Sequence, residues 1–372
     1  MTILQDFLKD LEELVNFDSG TRNSAGTTRA AEIMKRHYES IGFTAELVDL
    51  GPDCGKALRA TNKPGAKHFD IMLNAHLDTV FPDGEAAARP FTQDGKRGYG
   101  PGCVDCKSGV LSIFYGIKCA RKEDIDRLAI LVCCNPDEEL ISPWSSPWLL
   151  EQGKTADRVL ICEPARANGA LVRSRKGSAI YTVTFHGLSA HAGNEPEKGK
   201  NANVALCRFI DAIYTKCNDF KRGTTVNPGI ITGGKIVNAI PDLATVKLDT
   251  RFWNDDDGRW IRSQIEEAAK KEWAPGVTAE LKLDSWLPAM PLSDKTKALV
   301  DVVNQSAKEV GFTAEWVDAG GGSDGNHIAE SGVPVVDGIG PAGAFLHTAK
   351  EYVDLATIER QVMLQAHIYS HI

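Results

Sequence analysis

Apolar residues in the first half of the chain fall into short continuous runs, separated by stretches in which they recur every three or four positions. The runs are FDIMLNAHLD (69–78), RLAILVCCNPDEE (127–139) and DRVLICEPA (157–165), with a fourth, VPVVDGIG, late in the chain (333–340). Runs of this length, alternating with helical periodicity, predict a mostly parallel sheet flanked by helices, an α/β fold. Between about 175 and 288 the pattern changes. SAIYTVTFHG, TTVNPGIITGGKIVN, LATVKLDTRFW and VTAELKLDSW read as strands, and NANVALCRFIDAIYTKC and DDGRWIRSQIEEAAKKEW as helices. The order strand, helix, two strands, helix, strand predicts an inserted α+β domain of the split βαβ, ferredoxin-like type. The chain is therefore expected to form one domain from 1–174 and 289–372, and a second from 175–288.

Each apolar run ends in, or leads into, acids or histidine. In LNAHLDTV, His76 and Asp78 interrupt the end of a core strand two positions apart, so both side chains share one face. A carboxylate so placed can orient a metal-binding imidazole, although a buried hydrogen-bonded pair explains one H-x-D equally well. Ligands of open parallel sheets gather beyond the carboxyl ends of strands, where Glu138, Glu139, Glu163 and His347 can join His76. GYGPGCVDCKSGV (98–110) places Asp105 on a glycine-rich turn before a helix, the position of a helix cap or of a ligand. Three consecutive acids at 137–139 must be solvated or neutralised by cations. Imidazole and carboxylate ligands suit zinc, with cobalt or manganese as alternatives, and one bridging carboxylate would let five ligands serve two ions.

Composition narrows the classes. With 372 residues, 42 Lys and Arg against 50 Asp and Glu, and no long basic run, the chain offers no footing for nucleic acid or an anionic membrane surface. No apolar run reaches membrane-spanning length, and the N-terminal segment reads as an amphipathic helix carrying acids rather than a signal peptide. Nine scattered cysteines suit free thiols in a reducing cytoplasm.

Taken in order, HLDTV, GPGCVDCKSG, DEE, CEP, SAHAG, VNAIP, DTRF, GGGSDGN and LHTAKEYVD resemble the motifs of a zinc-dependent metallopeptidase and deacylase family. That family includes glutamate carboxypeptidase, acetylornithine deacetylase, succinyl-diaminopimelate desuccinylase and aminoacylase. The resemblance implies that His76, Asp105 and Glu163 hold one zinc and Asp105, Glu139 and His347 the other, with Asp105 bridging. It implies that Asp78 orients His76, and that Glu138 is the general base acting on a bridging metal hydroxide. The inserted domain would be a lid and dimerisation domain whose His191 reaches the partner subunit's site to stabilise the oxyanion. Asn238 and Arg251 would bind the substrate's carboxylate, and the GGGSD loop, with Gly321 and Gly322, would meet the substrate.

The activity implied is hydrolysis of an amide bond adjacent to a C-terminal amino acid, in dipeptides or N-acyl amino acids. An N-deacylase of a biosynthetic intermediate is the alternative within the family; a catalytically silent peptide binder is the alternative outside it. Aminopeptidase activity fits less well, because relatives acting on free N-termini tend to carry aspartate where this chain has Glu163. Two departures stand out. Ile141, Trp144 and Trp148 follow the acids where relatives commonly have glycines, so specificity is not inherited. Cys103 and Cys106 flank Asp105, and a redox role for this C-x-x-C has no thioredoxin-like turn to support it.

Overall fold

The computed structural model describes residues 2–372, and the chain divides into two compact units. The first comprises the chain up to Ser174 together with Pro291–Ala319 and Ser323–Ile372; the second comprises Arg175–Met290 and Gly320–Gly322.

The first unit is built on a six-stranded sheet in the order Thr44–Val48, Ala57–Thr61, Ile130–Asn135, Ile71–His76, Val159–Ile161, Val335–Val336. The last four strands run parallel to one another, and they are the four apolar runs of the sequence. The first two form an antiparallel edge that the sequence pattern did not reveal. Thr44–Val48 has no buried residue, so it carries no strong apolar signal. The central strands are buried along their whole length. Ile71, Leu73 and Ala75, with Ile130, Val132 and Cys134, enter the main apolar cluster with helical residues such as Phe7, Leu11, Met34, Leu111 and Ile358. The alternate residues Met72, Asn74 and His76 point to the other face, as the strand period requires. There Asn74 Nδ2 donates to Cys133 O and to Asn135 Oδ1, both at 3.1 Å, so a polar track runs through this face to the strand ends.

A second, five-stranded sheet follows the order Thr92–Gln93, Arg97–Tyr99, Tyr352–Asp354, Gly340–Ala344, Pro164–Ala165. Its strands are two to five residues long, too short for a periodic signal. It nevertheless brings the chain after Cys162 and the hairpin loop around His347 to one place.

The second unit is a four-stranded antiparallel sheet, ordered Thr225–Gly233, Leu243–Phe252, Gly177–His186, Thr278–Leu287, with helices Ala202–Cys217 and Asp255–Ala269. Its chain order is strand, helix, strand, strand, helix, strand. Ala179, Tyr181, Val183 and Phe185 alternate inward, as do Ala244, Val246, Leu248 and Phe252, and they pack with Leu206, Phe209, Ile261 and Ile265 of the helices.

Candidate metal centre

His76 ends a parallel strand, opposite Asn135 of its neighbour. Its Nδ1 lies 3.2 Å from Asp78 Oδ1 and 3.1 Å from Asp78 O, which places the proton on Nδ1 and turns Nε2 outward. The Asp78 carboxylate is fully buried and has further duties. Oδ1 accepts from the backbone N–H of Glu138 at 3.1 Å, and Oδ2 from that of Glu139 at 3.2 Å and from Thr21 Oγ1 at 2.6 Å. One carboxylate thus fixes an imidazole and the backbone of two acids. Thr21 was not singled out in the sequence, because a threonine in a loop has no distinguishing pattern.

Asp105 lies in an irregular turn between Gly102 and Gly109, and it leaves the helical region at φ −113°, ψ 93°. It does not cap the helix Gly109–Cys119, which has no side-chain cap. Its two oxygens diverge instead, Oδ1 lying 3.0 Å from His76 Nε2 and Oδ2 3.1 Å from His347 Nε2. Glu163 Oε1 approaches His76 Nε2 at 3.5 Å, and Glu139 Oε2 approaches His347 Nε2 at 3.1 Å. Two groups result, sharing Asp105: His76, Asp105 and Glu163, with the Cys106 thiol adjoining, and Asp105, Glu139 and His347; within each the ligand atoms lie within 4.8 Å of one another.

The turn bearing Asp105 is held from behind by a residue outside the expected site. Glu351, 1% exposed, accepts three backbone N–H groups: Gly102 on Oε2 at 3.0 Å, and Val104 and Asp105 on Oε1 at 3.0 and 3.1 Å. Burial pushes its carboxyl up to about 7. Lys107, buried nearby, donates to Pro101 O at 3.2 Å, and burial lowers its ammonium to about 8 against the attraction of Glu351. Glycine is required at two points here. Gly102 has φ +71°, and a Cβ on Gly109 would lie 2.0 Å from Cys162 O. His347 and Phe345 share a loop and both have positive φ, 62° and 60°, a conformation uncommon for residues other than glycine.

The electrostatics of the cluster favour added positive charge. Burial opposes protonation of His76, yet Glu163, with Asp105 and Asp78, holds it well above the usual range. Hydrogen bonds to Asp105 and Glu139 raise His347 to about 10. Burial raises Glu138 and Glu139, Glu138 further through its neighbour Glu163. Glu139 Oε1 is buried without a hydrogen-bond partner among the described residues. Clustered carboxylates, two outward imidazole nitrogens and an orphaned carboxylate oxygen fit a pair of divalent cations in their donor chemistry.

The other expected residues belong to the second unit. His191 is exposed, and its Nδ1 accepts from the backbone N–H of Gly193 and of Asn194, both at 3.1 Å, leaving the proton on Nε2. A backbone bridge pairs His191 with Ala239, beside the exposed Asn238. The fork of Arg251 grips Asp249 through Nε and Nη2, both at 2.8 Å. Gly321 and Gly322 are tied by their carbonyls to Nη1 of the buried Arg175 at 3.1 and 3.3 Å. Cys103 and Cys106 donate to different carbonyls, Gly98 O and Cys162 O, and all nine cysteines are free. Among the described residues no helix is long and apolar enough to cross a membrane.

The chain is 32% identical over 368 residues to carboxypeptidase G2 of Pseudomonas sp., covering 97% of this chain and 88% of that protein. It is 28% identical to a succinyl-diaminopimelate desuccinylase of Paracidovorax citrulli, covering 94% and 93%. In fold it resembles the aminopeptidase PepT of Bacillus cereus, with a TM-score of 0.81 at 22% identity over 99% of this chain and 98% of that one. The sequence profile of peptidase family M20/M25/M40 matches residues 72–371, a span that takes in every candidate ligand, and the chain belongs to this family of metal-dependent hydrolases.

Proposed function

We propose that the protein hydrolyses the amide bond next to a C-terminal amino acid, in dipeptides or N-acyl amino acids, using two divalent cations, zinc in the first instance. The observation that carries this reading is the divergence of the Asp105 oxygens toward two imidazoles, each with its own further carboxylate. His76, Asp105 and Glu163 would hold one cation and Asp105, Glu139 and His347 the other. When bound, such a pair polarises a carbonyl and makes water more acidic.

The remaining work falls to side chains. Glu138, its backbone fixed by Asp78, takes a proton from the attacking water and delivers it to the leaving amine nitrogen. His191, carrying its proton on Nε2, is a donor suited to the developing oxyanion in the partner subunit's site. Arg251 and Asn238 bind the substrate's carboxylate, which must compete with Asp249 for the same guanidinium fork. Gly321 and Gly322, braced by Arg175, present backbone to the substrate. The first unit is thus the catalytic domain, and the second the lid and dimerisation domain.

Homodimerisation is supported by the sheet edge Thr225–Gly233, where Ile230 and Ile231 are 58% and 56% exposed, and by the adjoining Ile236 and Val237. An unprotected apolar edge strand is a pairing surface. The free, mostly buried cysteines suit a reducing compartment such as the cytoplasm.

Amine release from a panel of N-acyl amino acids and dipeptides tests the activity, using zinc-loaded protein with and without chelator. A panel including N-succinyl substrates separates peptidase from deacylase, a choice motivated by the desuccinylase relative. Glu138→Ala should abolish turnover while two metals remain bound. Turnover retained in that variant removes Glu138 from its role, and no chelator-sensitive release from any substrate favours a silent binder.

A further inference from the structure

The segment that carries Glu138 and Glu139 is braced from within by Asp137, whose Oδ2 accepts from the N–H groups of Trp144 and Ser145 at 2.8 and 3.0 Å, and its two ends are joined by a further carboxylate. Asn135 ends the strand before it, and Ser142 follows it as the second of two residues with positive φ, Ile141 at 68° and Ser142 at 50°. Side chains other than glycine rarely adopt this region unless their surroundings hold them there. Asp324, at the start of helix Asp324–Ala329, supplies that support. Its Oδ2 accepts from Asn135 Nδ2 at 2.7 Å, and its Oδ1 accepts from Ser142 Oγ. Asn135 Oδ1 in turn accepts from Asn74 Nδ2 at 3.1 Å, and all four residues are at most 1% exposed. Within the segment, Ile141 N donates to Glu138 O at 2.7 Å and Ser142 N to Asp137 O at 3.0 Å. Asp78 holds the acids themselves through the N–H groups of Glu138 and Glu139.

We propose that Asp324 is a positioning residue for the reaction: by joining Asn135 to Ser142 it fixes both ends of the acidic turn and so sets where Glu138 and Glu139 point. The inference rests on the roles given to those two acids above. Every bond in the clamp has a defined donor and acceptor, so the arrangement can be reversed. In Asp324→Asn the clamp loses its charged acceptor: the new NH2 group meets either the Asn135 amide, donor to donor, or the Ser142 hydroxyl, which must then accept and is left without the carboxylate for its own proton. In Asp324→Asn combined with Asn135→Asp, the carboxylate moves to position 135. One of its oxygens keeps the bond from Asn74 and the other accepts from the amide at 324, whose carbonyl still accepts from Ser142. Ser142→Gly removes the hydroxyl at a backbone conformation that glycine adopts freely, so the clamp opens without added backbone strain.

The test compares these variants in three measurements: zinc titration of the metal-stripped protein, kcat and KM on the fastest panel substrate, and urea unfolding. Asp324→Asn should lower kcat by about tenfold or more with KM changed by less than about threefold, because a small misplacement near the chemistry is felt mainly in the transition state. One of two zinc equivalents should weaken by about tenfold, the range for loss of a group that orients a ligand. Ser142→Gly should show the same losses while remaining fully folded in the absence of urea, its lost hydrogen bond partly offset by a backbone conformation glycine adopts freely, and the reversed pair should recover both kcat and zinc binding. The clamp is overturned if the two single variants match wild type in kcat and zinc affinity, or if their losses follow unfolding alone and the reversed pair does not recover them. Glu138→Gln serves as the control for the underlying reading. If it is inactive while both clamp variants are fully active, only the clamp fails; if it retains turnover, the assignment of the base fails.

Discussion

Removal of Glu351 should separate the stability of the Asp105 turn from the rest of the fold. Its carboxylate accepts three backbone N–H groups, at 3.0, 3.0 and 3.1 Å, in a position that water does not reach. A buried donor left unpaired costs roughly 1–3 kcal/mol. Glu351→Ala orphans three of them, so the loss is about 3–9 kcal/mol, a large part of the roughly 5–15 kcal/mol that holds a typical domain folded. It also leaves the buried Lys107 without the attraction of Glu351. Glu351→Gln is milder. Its amide oxygen can keep Val104 and Asp105, while its NH2 group faces the Gly102 N–H, so about 2–4 kcal/mol is lost and the chain stays folded. The assay is urea denaturation of the metal-stripped protein, followed by zinc titration of the glutamine variant. That variant should bind zinc more weakly, because the turn that aims Asp105 is loosened. A glutamine variant within about 0.5 kcal/mol of wild type, with unchanged zinc binding, would refute the idea that Glu351 holds the Asp105 turn.

Three further outcomes follow from the same geometry. Asp78→Ala should weaken zinc binding by about 10- to 100-fold and lower kcat, since it frees His76 and the backbone of both acids; equilibrium dialysis measures the first. Chelation should lower the thermal midpoint as well as activity, because free zinc at about 100 times its dissociation constant adds about 2.7 kcal/mol per site; a midpoint indifferent to chelator would count against ordered binding. Gly109→Ala should destabilise by about 1–3 kcal/mol, because its Cβ would meet Cys162 O at 2.0 Å; circular dichroism melts would show it, and an unshifted melt would mean the helix start relaxes freely.

What the sequence made legible was what repeats or what is chemically costly. The four apolar runs became the parallel strands, the two central ones buried along their whole length, and the alternation in Gly177–His186 announced a sheet with one covered face. His76, Asp105, Glu139, Glu163 and His347 drew attention because charge at the end of a core strand or on a tight turn needs a reason. The residues that hold them did not. Glu351 sits four places after His347 in a loop, where spacing carries no information, and Asp324 follows three glycines that attract the eye first. Their partners are backbone N–H groups or residues nearly two hundred positions away, and neither kind of partner is written in local pattern. The antiparallel edge and the five-stranded sheet were missed for a related reason, since short or half-exposed strands are defined by their neighbours.

The discontinuous first unit also has a consequence for the order in which the protein is made. His76, Asp105 and Glu163 all precede Ser174, so their group is complete before the inserted unit leaves the ribosome. His347 and the edge strand Val335–Val336 arrive only after Arg175–Met290 has been synthesised, a delay on the order of ten seconds at common elongation rates. Through that interval the nascent sheet has an open edge at Val159–Ile161, and Asp105 has one imidazole instead of two. In the proposed site, Asp105 is therefore the point at which an early set of ligands, made first, waits for the last part of the chain.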